Sequence, residues 1–209
     1  MTFKYQNQEY NVLVVRKNNK NTYIRIKNDT VYITTNYFTS NFRIKKLIED
    51  NQKPIAKMLI RAKKRQLLDD KFLLFGSEYH IIYDNKSNLT IKDNTIYAKD
   101  EKHLNAWLNK YLKETYQKHL DYWYSKFSEN IPIPNLKIRK MKTRWGVCNT
   151  KNYNITLNRE LIKYDISCLD YVIVHELAHL IEANHSKQFW QIVEKYYPNY
   201  KNCRKILRT

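Results

Sequence analysis

The sequence is short of glycine, cysteine, acidic residues and long apolar runs, and each shortage closes off a class of protein. Two glycines in 209 residues mark a composition skewed toward Lys, Asn, Ile and Tyr. Three cysteines, Cys148, Cys168 and Cys203, form no Cys-x-x-Cys pair. So odd and sparse a set excludes a disulfide framework and suits a reducing compartment, with Cys148 expected as a buried structural thiol. No run of 18 or more apolar residues occurs, which excludes a transmembrane helix. The first residues lack the basic-then-apolar layout of a secretory signal. A cytoplasmic protein with no membrane partner is the expectation. Acidic residues number 20 against 38 Lys and Arg, giving a net charge of +18. Such an excess favours polyanions, so nucleic acid is a candidate partner. A general lysine skew spread over solvated faces explains the same number. The basic residues cluster in part, at 61–65, 137–144 and 201–208.

What is present suffices for a packed core. Hydrophobic residues make up 43% and aromatic residues 14% of a length that suits one domain or two small ones. β-branched clusters at 11–16, 23–27 and 31–35, with Asn-rich turns at 18–19 and 28–29, predict a three-stranded meander. Ser40 can cap a helix with Ile44, Leu47 and Ile48 on one face, and Pro54 suits the first turn of another. Short strands are predicted at 72–75, 79–83, 89–92 and 95–98, with turns at Gly76 and Asn85. The longest helix is expected over 100–128, where Leu104, Trp107, Leu108, Tyr111, Leu112, Leu120, Trp123 and Phe127 recur at three and four. Ile131-Pro132-Ile133-Pro134 ends it. Three strands follow, at 136–141, 144–148 and 153–157. The resulting division is a β-rich region with two helices over 1–99 and a second domain over 100–209.

Residues 175–185 carry the chemistry. His175 and His179 are four apart, so on a helix they project from one face about one turn apart. That is a geometry in which two imidazoles can grip one divalent ion, with Glu176 beside them, free to act on a water. The flanks are apolar: Val172, Ile173 and Val174 before, Leu177, Ala178, Leu180 and Ile181 after. Burying two His and a Glu there is costly unless they share a partner, and a metal is that partner. His185 stands six beyond His179. In one continuous helix it would point about 120° away, so as a ligand it requires the helix to end between them. Asn184 tolerates the left-handed conformation of such a turn, and Ser186 can cap a new helix through Phe189, Trp190, Val193 and Tyr197. Glu182 and Glu194 are the alternative third ligands. His80, His103 and His119 have no partner at metal spacing.

The stretch 171–190 resembles the YgjP-like metallopeptidases, a group related to the SprT-like, M48-type and wider zincin peptidases. Upstream, Thr143-Arg144-Trp145-Gly146-Val147-Cys148 is similar to that family's Arg-Trp-Gly-Ser-Cys segment, with Val147 in place of Ser. Asn184, His185, Ser186, Lys187, Phe189 and Trp190 match its Asn-His-Ser-Lys-x-Phe-Trp run. The His spacing equals that of the metzincins, but Glu182 replaces their turn glycine, which argues against membership there. The resemblance is sharp over about 136–195. It implies one zinc ion held by His175, His179 and His185, with Glu176 catalytic. It also implies an α+β, zincin-like fold: a small antiparallel sheet beside the metal helix, whose edge strand offers its backbone to an extended peptide.

The expected function is therefore zinc-dependent hydrolysis of peptide bonds, with Glu176 as general base. Arg144 is the candidate oxyanion donor or substrate-binding group, and Glu182 and Asp170 are candidates for orienting the ligand rings. Two alternatives use the same site. One is a nucleotide hydrolase, its phosphates drawn to Lys137, Arg139, Lys142 and Arg144. The other is a DNA-associated protease of the SprT-like type.

Overall fold

The computed structural model describes residues 1–5, 8–27, 29–69, 71–84 and 89–208. The chain divides into two compact units, Met1–Asp70 and Lys71–Thr209, so the strands of 72–98 group with residues 100–209.

In the first unit four strands, β1 (Thr2–Tyr5), β2 (Gln8–Arg16), β3 (Tyr23–Lys27) and β4 (Thr30–Thr35), form one sheet in the order β1-β2-β4-β3. This is not the expected meander. β4 runs parallel to β2, and β3 is displaced to the edge. Central placement suits β4, whose alternation buries Val31, Ile33 and Thr35 while its neighbours face outward. Ser40 caps α1 (Asn41–Asp50) by accepting from the Arg43 amide, and α2 (Gln52–Asp69) follows with Pro54 in its first turn. Ile44, Ile48, Ile55 and Leu59 close over Phe3, Val12, Val31 and Ile33 as the core of this unit. Of the expected turns, Asn28 and Asn85 lie outside the described residues; Asp29 is left-handed at φ 53°.

The second unit begins with a sheet of β5 (Phe72–Leu74), β6 (Ser77–Tyr83), β7 (Thr90–Lys92) and β8 (Thr95–Ala98), in the order β5-β6-β8-β7. Gly76 turns the first hairpin at φ 84°, a conformation that glycine adopts without Cβ strain. Asp100 caps the long helix α3 (Glu101–Lys126) through the His103 amide. Its Leu112, Tyr116 and Leu120 are buried against α4 (Ile166–Ala178), which carries the His-Glu-x-x-His motif. α4 is apolar nearly all round, as its burial demands: Leu169, Ile173, Val174, Leu177 and Ala178 are fully inside.

Between the long helix and α4 lie β9 (Asn135–Arg139), β10 (Gly146–Asn149) and β11 (Asn154–Asn158), then a 3-10 turn, Arg159–Lys163. The expected small sheet is present beside α4, in the order β10-β11-β9. It is mixed: β10 pairs antiparallel with β11, but β9 pairs with β11 in parallel. β10 is therefore an edge. Two further helices, α5 (Lys187–Tyr196) and α6 (Tyr200–Arg208), complete the unit.

Asp170 was a candidate for orienting a ligand ring. It instead points from α4 to α3, where one carboxylate oxygen accepts from His119 Nδ1 at 2.6 Å and from Trp123 Nε1 at 2.8 Å. Asp170→Ala should cost about 1–3 kcal/mol in urea unfolding by stranding two half-buried donors, and leave metal affinity unchanged. A variant as stable as wild type that binds metal poorly would restore the original assignment.

Candidate metal centre and cleft

α4 ends where the chemistry begins. His175 lies in its last turn, and His179 is the C-cap, still in the helical region at φ −66°, ψ −18°. The two rings therefore share a face. Beyond them the chain tightens: the Leu180 amide bonds Leu177 O at 3.0 Å and the Ile181 amide bonds Ala178 O at 3.1 Å. This closes the helix at His179, a turn earlier than Asn184. Asn184 is not among the positive-φ residues, because the tightened turn has already reversed the chain. Its amide donates to the Glu182 carboxylate at 3.4 Å. Ser186 caps α5 as expected, accepting from the Phe189 amide at 3.2 Å.

The reversal brings His185 back to the pair. One ring nitrogen from each of His175, His179 and His185 lies within 4.8 Å of the others, and among the described residues these three form the one such group. His175 Nε2 and His185 Nε2 are 3.0 Å apart. The alternative ligands do not join them. Glu182 contributes its backbone carbonyl, 3.2 Å from His179 Nδ1, and not its carboxylate; Glu194 pairs with Lys201 at 3.1 Å. His103 and His119 are engaged with Asp100 and Asp170.

The donor set fits a divalent ion. Burial holds His175 down to about 3, aided by the neighbouring His179 and His185, and burial also lowers His179. Neutral imidazoles are the ligand form. His175 Nδ1 is buried with no hydrogen-bond partner, a cost that binding through the opposite ring nitrogen helps to justify.

Phe189 is the floor under the triad. It is fully buried, and its ring centroid lies 4.8, 4.5 and 4.8 Å from those of His175, His179 and His185. The sequence places Phe189 on α5 but gives no sign that one ring supports all three imidazoles. Phe189→Ala should destabilise the fold by about 3–5 kcal/mol and weaken metal retention in a chelator competition. Unchanged metal affinity in a folded variant would remove the supporting role.

Glu176 is 4% exposed and lies against β10. Burial pushes its carboxyl up to about 8, opposed by a hydrogen bond from the Cys148 amide and by the charge of Arg144. Gly146 makes this approach possible. A Cβ there would sit 2.4 Å from Glu176 Oε1 and 2.7 Å from its Cγ. Cys148 is not part of the three-histidine group, and burial and then the Glu176 charge push its thiol up to about 12.

The loop before β10 is held by a residue that sequence reasoning missed. Asn158, buried at the end of β11, donates to Met141 O at 2.9 Å and Arg144 O at 2.8 Å, and accepts from the Met141 amide at 3.2 Å. Trp145 packs, as its indole suggests: Nε1 donates to Leu207 O at 2.9 Å and the ring meets Tyr164 edge-on. These contacts leave the exposed Arg144 side chain beside a cleft of about 960 Å³ that also includes His175, Glu176, His179 and His185. Of the four basic residues considered for phosphate, only Arg144 lines it; Lys137 and Arg139 point outward from β9.

Three imidazoles about a common point, a buried carboxylate next to them and an open cleft define a metallohydrolase-type centre. Residues 20–209 match the family described as "YgjP-like, metallopeptidase domain". The chain belongs to the YgjP-like metallopeptidases, which implies a metal ion and a polypeptide substrate. Two solved structures are similar over about half of the chain. One is the metallopeptidase zymogen abylysin of Pyrococcus abyssi, at 26% identity over 47% of this chain and 90% of that one, with a TM-score of 0.34. The other is the zymogen jannalysin of Methanocaldococcus jannaschii, at 24% identity over 46% and 94%, with a TM-score of 0.36. No curated protein matches. Among the described residues no helix is long and apolar enough to cross a membrane.

Proposed function

We propose that the protein is a zinc-dependent peptidase in which His175, His179 and His185 hold one metal ion per chain and Glu176 is the general base. The observation that carries this reading is the convergence of three imidazoles beside a buried carboxylate in an open cleft. The three-imidazole set is a familiar catalytic zinc arrangement, with its fourth position left for water or substrate. When bound, the ion supplies Lewis acidity and lowers the pKa of a water from about 16 toward 7.

The chain's own residues do the rest. Glu176 takes the proton of the attacking water and passes it to the leaving amine. Its burial raises its proton affinity, which suits both halves of that exchange, while a dication nearby draws it back toward the ionised form. Arg144 stands at the cleft as the donor for the developing oxyanion or for a substrate carbonyl. β10 is an unpaired edge lining the same cleft, so an extended peptide can add to it as a further strand.

The test is hydrolysis of casein and, separately, of nucleoside triphosphates, each with and without a chelator. Chelator-sensitive cleavage of casein with no triphosphate turnover is the expected result. Chelator-sensitive phosphate release without proteolysis would overturn the peptidase reading in favour of nucleotide hydrolysis.

A further inference from the structure

We infer that Arg204 and Arg208, on the cleft side of α6, make the enzyme select polypeptides bearing an acidic side chain close to the scissile bond. This rests on the peptidase reading and adds a substrate class to it. Three arginines line the cleft, Arg144, Arg204 and Arg208. Glu176 is the sole acidic residue in that lining, and it is buried at the base of the cleft. An approaching substrate therefore meets cationic walls.

Among the described residues these arginines enter no ion pair at salt-bridge distance. Lys201, on the same helix, is tied to Glu194 at 3.1 Å. Unpaired guanidinium groups beside low-dielectric walls favour a carboxylate from outside.

Arg204 is pre-positioned rather than free in solvent. Its guanidinium carbon lies 4.3 Å from the Trp190 ring centroid, and Trp190 is itself stacked on Tyr200 at 5.3 Å. A planar guanidinium held over an indole loses less freedom when its fork engages a carboxylate. The Trp190 ring lies 5.9 Å from the His185 ring, nearly parallel to it. The cation is thus coupled to the metal centre through a single aromatic residue, close enough to read a side chain near the cleaved bond. Arg208 follows one turn later on the same face, as its spacing of four requires.

The experiment uses the metal-loaded full chain and one internally quenched peptide. Glu, Gln or Lys is placed in turn at each position flanking the scissile bond, with the C-terminus amidated. A free-acid version of the Gln peptide separates side-chain from terminal carboxylate. Binding of the same peptides is also measured on Glu176→Gln, which reports selection without turnover. Glu over Gln by about tenfold in kcat/KM at one position, with Lys lowest, is expected. The double change Arg204→Gln/Arg208→Gln should shrink that ratio to within about twofold, a readout independent of how much enzyme is active. Equal cleavage of all three peptides would overturn the inference and leave the peptidase reading intact. Preferential binding of Glu peptides with no cleavage by wild type would do the reverse. Preference confined to the free-acid arm, or displacement of the Glu peptide by single-stranded DNA at lower concentration than by another Glu peptide, would also overturn it.

Discussion

Glu176→Gln is expected to keep the metal and abolish most turnover. Gln has the size of Glu and can accept the Cys148 amide, so α4 and the triad should stay in place. It cannot accept a proton from water at any working pH. General acid–base assistance contributes about 10²–10⁴-fold, and losing both the abstraction and the delivery step places the expected fall toward the upper end. The measurements are kcat on a peptide substrate and metal content of the same preparation. A variant within tenfold of wild type would remove Glu176 from the base role. A variant without metal would show instead that the carboxylate is structural.

Gly146→Ala should come next in size, through the same carboxylate. The added Cβ would overlap Glu176 Oε1, Cγ and Cδ at 2.4, 2.7 and 2.8 Å. The carboxylate is enclosed and the β10 backbone is paired to β11, so one of them must shift. Misplacement of a catalytic group by about 1 Å costs on the order of 10²-fold in rate. Metal content should be unchanged, because the three atoms nearest the added Cβ all belong to Glu176 and none to a candidate ligand. Wild-type kcat would mean that Glu176 moves without penalty and that its position against β10 is incidental.

Much of the centre was legible from His175 to Ser186 because spacing alone dictates it. A separation of four sets two rings on one face, six more residues force a break, and Ser186 announces the next helix. The manner of the break was not legible. Successive i→i−3 bonds closed α4 at His179, so the left-handed Asn184 was not needed. The long helix and most strands followed from their periodicity and turn residues. Their partners did not. The parallel pairing of β2 with β4 and of β9 with β11 depends on which faces are covered by helices, and local alternation carries no record of it. Asp170 was misread for a related reason: a carboxylate five residues before His175 could face the metal or the neighbouring helix, and packing against α3 decided for the helix. Gly146, Asn158 and Arg204 act through tertiary proximity, to Glu176, to the 141–144 backbone and to Trp190 respectively. Only Gly146 sits in a recognisable segment, and nothing there points to the carboxylate it makes room for.

The coordination sphere itself can be measured directly. X-ray absorption on the zinc-loaded protein should show one ion per chain with three imidazole nitrogens at about 2.0–2.1 Å and one lighter donor. His175→Ala, His179→Ala and His185→Ala should each strip that shell to two rings and weaken zinc binding. A spectrum with sulfur in the shell, or one that His185→Ala leaves unaltered, would contradict the three-histidine centre.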